Sequence, residues 1–185
     1  DGMGTGTGAG EEGRTAVNLL RQMLLAGYPA EHALRSLNSL LILRGRAGAV
    51  TADLAEIRLD TGGVKLFKWG AAPSYLLRSG ATEKIGTAGP PPGIRMGDVR
   101  ERVDRLSLGR GETLIILSDG VDGEEARRCA VIRPEGPAGE MAARLLEAGA
   151  AESADDASAA VVRLHPLTCR HNTMENVKIL SKHKM

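Results

Sequence analysis

Three short stretches place acids in tight turns at the edge of apolar runs. Asp1 lies in "DGMG", and Asp119 lies in "SDG" directly after "TLIIL". Asp155 and Asp156 form "ADDAS", which leads into "ASAAVVRL". A carboxylate beside a buried apolar strand is costly unless something compensates it. A divalent cation does so, and hard cations such as magnesium and manganese take carboxylate oxygen. The glycines next to Asp1 and Asp119 let the backbone approach closely and offer a carbonyl as a further ligand. Asp-Gly is also a common turn dipeptide, so each acid taken alone reads as a turn residue. The convergence of three such acids makes a shared metal site the candidate.

Other chemistries are weaker. "GAGEEG", Gly8 to Gly13, matches G-x-G-x-x-G and precedes a helical pattern, but no strand precedes it. A mobile glycine-rich loop is the better reading. Gly-Lys-Ser/Thr is absent, which excludes a P-loop, and Gly-x-Ser-x-Gly is absent too. His32 falls within a helical pattern, where a surface or packed role is commoner than catalysis. Asn38, in "SLNSLL", is an amide amid apolar residues; it reads as a backbone hydrogen-bonding group, with a contact to the Asp1 loop as the alternative.

The chain has 185 residues, 42% of them hydrophobic and 25% charged, enough for one domain with a real core. Its four aromatics, Tyr28, Phe67, Trp69 and Tyr75, require a largely aliphatic core and leave few platforms for stacked bases. A net charge of +1 gives no nucleic-acid footprint. No apolar run is long enough to span a bilayer. Cys129 and Cys169 are far apart and read as free thiols in a reducing compartment. Asp1 is not an initiator methionine, so the chain reads as a piece of something larger or a processed product.

The elements that must position the acids follow from periodicity. Residues 14–26 place Ala16, Val17, Leu20, Met23 and Leu24 on one helical face. Gly27 stops that helix, and Pro29 opens a second one that ends at Gly45. "TADLAEIRL" and "VKLFKW", joined by "DTGG", predict a hairpin. "YLLRS" and "RVDRLSL" are further short strands, with "GTAGPPPG" as a surface loop between them. "TLIILS" reads as a central strand, 138–149 as a third helix, and 157–164 as a last central strand. Helices do not alternate with strands, which favours α+β over a doubly wound sheet. Residues 165–185 carry His165, His171 and His183, and Arg170, Lys178, Lys182 and Lys184 against Glu175. This stretch reads as a solvated basic extension, dispensable for a core domain of residues 1–164.

Taken together and in order, "DGMGTG", "SLNSLL", "DTGGVKLFKWGAAPSYLLRSG", "PPPGI", "LIILSDGV" and "DDASAAVV" resemble the metal-dependent type 2C protein phosphatases. Within them the chain is similar to the stage II sporulation protein E family of bacterial serine phosphatases. The resemblance covers residues 1 to about 164. It implies two stacked antiparallel β-sheets flanked by helices, lacking the first strands here. It implies a protein serine/threonine phosphatase with two manganese or magnesium ions (Mn2+ or Mg2+) in the complete domain, which activate a water. Asp1 maps to the bridging aspartate, Gly2 to the carbonyl ligand, Asp119 and Asp155 to the remaining carboxylate ligands, and Asp156 to a partner of the ligand beside it. No protein nucleophile is needed. The resemblance further implies a phosphorylated anti-sigma-factor antagonist as substrate in sporulation control, and a cytoplasmic location, with any membrane anchor upstream.

The chain departs from the family pattern in three places. The strand before "DGMG", which carries another acidic ligand in relatives, is expected to be missing from this stretch; Met3 stands where some relatives have histidine; and Gly123, between Asp122 and Glu124, stands where relatives often have an acid. This stretch alone is therefore expected to hold at most one manganese ion tightly. The two opening helices are expected to act as a switch and a homodimer contact, with "TGTGAGEEG" as a flexible joint. The alternatives are a general stress-response phosphatase and a non-catalytic binding module on the same fold.

Overall fold

Two antiparallel helices open the described chain, α1 (Thr7–Leu25) and α2 (Ala30–Leu43). The computed structural model describes residues 2, 7–44, 50–70, 72–86, 89–94, 103–149, 156–164 and 177–182. Gly27, at φ +85°, ends α1 in a Schellman motif: its N–H donates to Leu24 O and that of Tyr28 to Met23 O. Pro29 then caps α2, and its carbonyl accepts from Ala33 N–H. The predicted helix pair is therefore present, but α1 begins seven residues earlier than its apolar period suggests. Gly8, Gly10 and Gly13 lie inside the helix, so the "TGTGAGEEG" stretch forms neither a joint nor a phosphate-cradling loop from Thr7 onward. Glycine costs a helix about 1 kcal/mol relative to alanine. Packing outweighs this cost, since Gly13 is buried and Ala9 lies directly against Gly2.

Strands then follow in chain order: β1 (Ala52–Ile57), β2 (Gly63–Trp69), β3 (Ser74–Arg78), β4 (Ala81–Ile85), β5 (Val103–Ser107) and β6 (Thr113–Leu117). Helices α3 (Gly123–Ile132) and α4 (Ala138–Gly149) come next, then β7 (Ala157–Arg163) and β8 (Val177–Lys182). One sheet has the order β1-β2-β5, the other β4-β3-β6-β7-β8, with β6 central. Every neighbouring pair in the larger sheet is antiparallel. The α+β class with two antiparallel sheets and flanking helices is thus the observed one.

The chain divides into two units. In the unit built from Ile57–Val64, Ala72–Gly86 and Arg105–Met185, one sheet face supplies Tyr75, Leu77, Ile115, Leu117, Ala159 and Val161. These alternate along their strands and pack on Ala126 and Ala130 of α3 and on Met141, Ala142, Leu145 and Leu146 of α4. Arg163 holds the α3–α4 connection, donating to the carbonyls of Pro134 and Gly136 at 2.8 and 2.6 Å. In the unit built from Asp1–Glu56, Lys65–Ala71 and Thr87–Asp104, α2 packs through Ala30 and Leu34 on Phe67 and Trp69. Among the described residues no helix is long and apolar enough to cross a membrane.

Three elements were not legible as periodic runs. The first, β4, is joined to β3 by a two-residue turn with Ser79 at φ 50° and Gly80 at φ 76°. This is the backbone that a Ser-Gly hairpin turn requires. The second, α3, is capped by Asp122, whose carboxylate accepts from the N–H groups of Glu124 and Glu125. The spacing of Asp122 and Glu125 is a capping signature. The third, β8, corrects the reading of the tail as wholly solvated: Val177–Lys182 pairs with β7 from Val162↔Val177 to Ala157↔Lys182. Its short run "VKIL" supplies few apolar residues, but an open edge of β7 offers unpaired backbone groups that a strand can satisfy.

Within the first unit, the Lys68 ammonium on β2 is fully buried and meets both carboxylate oxygens of Asp53 on β1 at 2.7 Å. Burial holds the Asp53 carboxyl above its ordinary 3.8 despite the attraction of Lys68, and holds Lys68 below its ordinary 10.5 despite Asp53. Stability from the raised carboxyl is full below pH 3.8 and is lost as pH rises through its folded value. Stability from the depressed amine is full above pH 10.5 and is lost as pH falls through its folded value. Between these windows the pair stabilises least. Removing one partner, as in Asp53→Ala, is expected to cost about 3–5 kcal/mol by urea unfolding near neutral pH. The double variant Asp53→Leu/Lys68→Met is expected to be neutral or stabilising there, and its advantage should shrink toward both pH extremes. Truncation after Leu164 is expected to lower the thermal midpoint and to speed amide exchange along β7, because it removes the β8 ladder.

Candidate active site

The larger sheet brings two of the acidic motifs to one end. Asp119 follows β6 and Asp156 precedes β7, and these strands are antiparallel in a register that runs from Thr113↔Arg163 to Leu117↔Ala159. Ser118 continues the ladder past the strand end. Its N–H donates to Ser158 O at 2.9 Å, and its Oγ accepts from Ser158 N–H at 2.8 Å. The turn closes with Val121 N–H donating to Ser118 O at 3.2 Å. Asp119 is exposed at the head of this turn, and Asp156 is exposed across from it. The Ser118–Ser158 bonds and the Val121–Ser118 bond fix the backbone that carries both.

Glycines permit that arrangement at three contacts. A Cβ at Gly120 would overlap the Asp156 carbonyl. A Cβ at Gly149, the last residue of α4, would stand 2.5 Å from Val121 Cγ1 and 3.1 Å from Asp122 O. The Gly149 carbonyl in turn accepts from Asp122 N–H at 2.9 Å. A Cβ at Gly123 would stand 2.5 Å from the Tyr75 hydroxyl. The Asp119 turn is thus wedged among the start of β7, the end of α4 and a buried tyrosine. Burial, reinforced by the nearby Glu124 carboxylate, holds the Tyr75 phenol above its ordinary 10.0.

The acids flanking Gly123 are occupied elsewhere. Asp122 caps α3, Glu124 pairs with Arg127 at 3.1 Å, and Glu125 pairs with Arg128 at 2.6 Å. Gly123 itself, where an acid was noted as missing, has no room for one while Tyr75 keeps its position. In the other unit, Gly2 forms an isolated antiparallel bridge with Val50, and a Cβ there would overlap the Ala9 carbonyl. Asp1 and Asp155 lie outside the described residues. Among the described residues no group of three or more histidine, cysteine, aspartate or glutamate side chains is gathered for a metal. Among the described residues, Asp119 and Asp156 offer carboxylate oxygen at the β6–β7 end, and Gly120 lets their turn close on the start of β7. That chemistry fits a hard cation such as manganese or magnesium.

Asn38 makes a long-range backbone bond, and its alternative contact, to the Asp1 loop, falls on residues outside those described. Its Oδ1 accepts from Gly93 N–H at 2.9 Å, tying α2 to the polyproline stretch. That stretch is no simple surface loop, since Pro92 is buried.

The fold is that of the type 2C phosphatase domains. A solved structure of the PP2C phosphatase domain with a fragment of the regulatory domain of SpoIIE from Bacillus subtilis matches with a TM-score of 0.73. The match has 27% identity and covers 87% of this chain and 51% of that one. A manganese-presoaked structure of the same phosphatase domain matches with a TM-score of 0.53 at 26% identity, over 85% of this chain and 73% of that one. The family model of stage II sporulation protein E matches residues 1–165, and the chain belongs to that family. Stage II sporulation protein E of Priestia megaterium is 35% identical over 65% of this chain and 21% of its own length. The Bacillus subtilis protein is 33% identical over 65% of this chain and 15% of its own length. The chain thus spans about a fifth or less of these relatives.

If the glycine contacts hold the Asp119 turn, Gly120→Ala and Gly149→Ala should each destabilise by about 1–3 kcal/mol, the usual cost of overpacking. Gly10→Ala, in α1 with open space around it, should instead stabilise by about 0.5–1 kcal/mol. Urea unfolding of the three variants checks the contrast.

Proposed function

We propose that this chain is the phosphatase portion of a metal-dependent protein serine/threonine phosphatase. Its substrate is a phosphorylated anti-sigma-factor antagonist in the control of sporulation. The observation that carries the reading is the Ser118–Ser158 lock, which holds Asp119 and Asp156 at one end of the β6–β7 ladder. Asp1, Asp119 and Asp155 by carboxylate and Gly2 by carbonyl are the positions to which the family resemblance assigns divalent metal. The chemistry that bound manganese or magnesium supplies is charge for the phosphoryl oxygens and acidification of a water. Gly120 lets the Asp119 turn close on the Asp156 backbone, and Ser118 fixes the direction of that turn. Family membership supports the assignment to sporulation. A cytoplasmic location agrees with the substrate class. Exposed Val17, Leu25 and Leu43, at 60%, 72% and 79% accessibility on α1 and α2, support a homodimer contact through the opening helices.

A second reading, a non-catalytic module that binds the same partner without turnover, is favoured by one observation. Tyr75 fills the space at Gly123 where an acid would otherwise stand. Phosphate release from a phosphoserine protein, measured with manganese and with excess chelator, separates the two. Turnover is expected only with metal, and Asp119→Asn is expected to lower it by about 100-fold or more with an unchanged thermal midpoint. Full activity in chelator would reject the metal mechanism; no turnover in any metal would favour the module.

A further inference from the structure

The stretch Gly89–Gly93 acts as a strap within the unit that holds α1 and α2. Gly89 N–H donates to Lys68 O and its carbonyl accepts from Gly70 N–H, both at 2.8 Å. Pro91 lies so close to Gly70 that a Cβ there would overlap its ring. Pro92 O accepts from Val50 N–H at 3.2 Å, and Gly93 N–H donates to Asn38 Oδ1 at 2.9 Å. Val50 in turn bridges Gly2. Three consecutive prolines fix φ along the strap, so it moves as a stiff piece.

We infer that Asn38 is a positioning residue that fixes Gly2 through this strap. Asn38 is 7% exposed, on the face of α2 that also buries Leu34, Leu37 and Leu41. An amide buried there is costly unless it is hydrogen-bonded. Its Oδ1 accepts from a glycine 55 residues away. The same helix grips Val50 directly, because Leu37 and Leu41 cluster with Val50 and Ala16. Val50 is therefore held from two sides, by apolar contact from α2 and by the Pro92 carbonyl at the end of the strap. Its position sets that of Gly2, which has no freedom toward Ala9. The catalytic meaning rests on the proposed metal role of Gly2; the mechanical link does not.

The test uses the whole chain, isotopically labelled for NMR, with manganese affinity measured separately by titration. Asn38→Ala and the space-filling Asn38→Leu both remove the acceptor; Asn38→Asp keeps it. Both removals are expected to speed exchange of the Gly93 and Val50 amides by about tenfold, the scale of one net hydrogen bond. They should also shift the Gly2 amide resonance and weaken manganese binding by a similar factor, and Asn38→Asp should restore all of these. If Gly93 alone responds while Val50 and Gly2 stay unchanged in both removal variants, the link is overturned. If Val50 and Gly2 respond and manganese affinity does not, the link stands and the metal role given to Gly2 fails.

Discussion

The pairing of β6 with β7 is the constraint on which the acidic end of the larger sheet depends. Strand periodicity is two residues, so a slip of one position would turn every side chain to the opposite face. Ile115, Leu117, Ala159 and Val161 are buried against α3 and α4 only in the observed register. Once that register holds, Ser118 meets Ser158 and the turn beyond it must carry Asp119 opposite Asp156. The apolar core and the polar turn are two consequences of one alignment.

Close backbone approach is the second theme. Gly120 and Gly149 let the Asp119 turn sit against β7 and α4, and Gly2 lies against Ala9 in the other unit. These positions need glycine for space. Gly27 and Gly80, by contrast, need it for a left-handed backbone. Burial also has a cost in this protein. Lys68 and Asp53 attract each other at 2.7 Å, yet desolvation sets the direction of both titrations. Such a pair contributes little net stability and punishes the loss of either member.

Much of the fold was legible in order and type. The helix at 138–149, the strands around Leu66, Leu76, Ile115 and Val161, and the α+β class all follow from apolar spacing. The misses share a cause. β4 is mostly exposed and α3 is rich in charge, so neither carries a strong apolar period; their signals were the Ser-Gly turn and the Asp122 cap. The start of α1 was hidden because glycine propensity argued against it while packing on Gly2 and burial of Gly13 argued for it.

The sequence by itself determined the acidic motifs, the oxygen-only donor chemistry and the family to which they belong, because residue type and order are properties of the chain alone. Tertiary structure alone decided which of those groups are already engaged. Asp122 is committed to α3, Asn38 to Gly93, and the space at Gly123 to Tyr75. Asn38 and Gly93 stand 55 residues apart, and Tyr75 and Gly123 come from different elements. Contacts at such separation exist only after the chain has closed its loops, so no local pattern of residues encodes them.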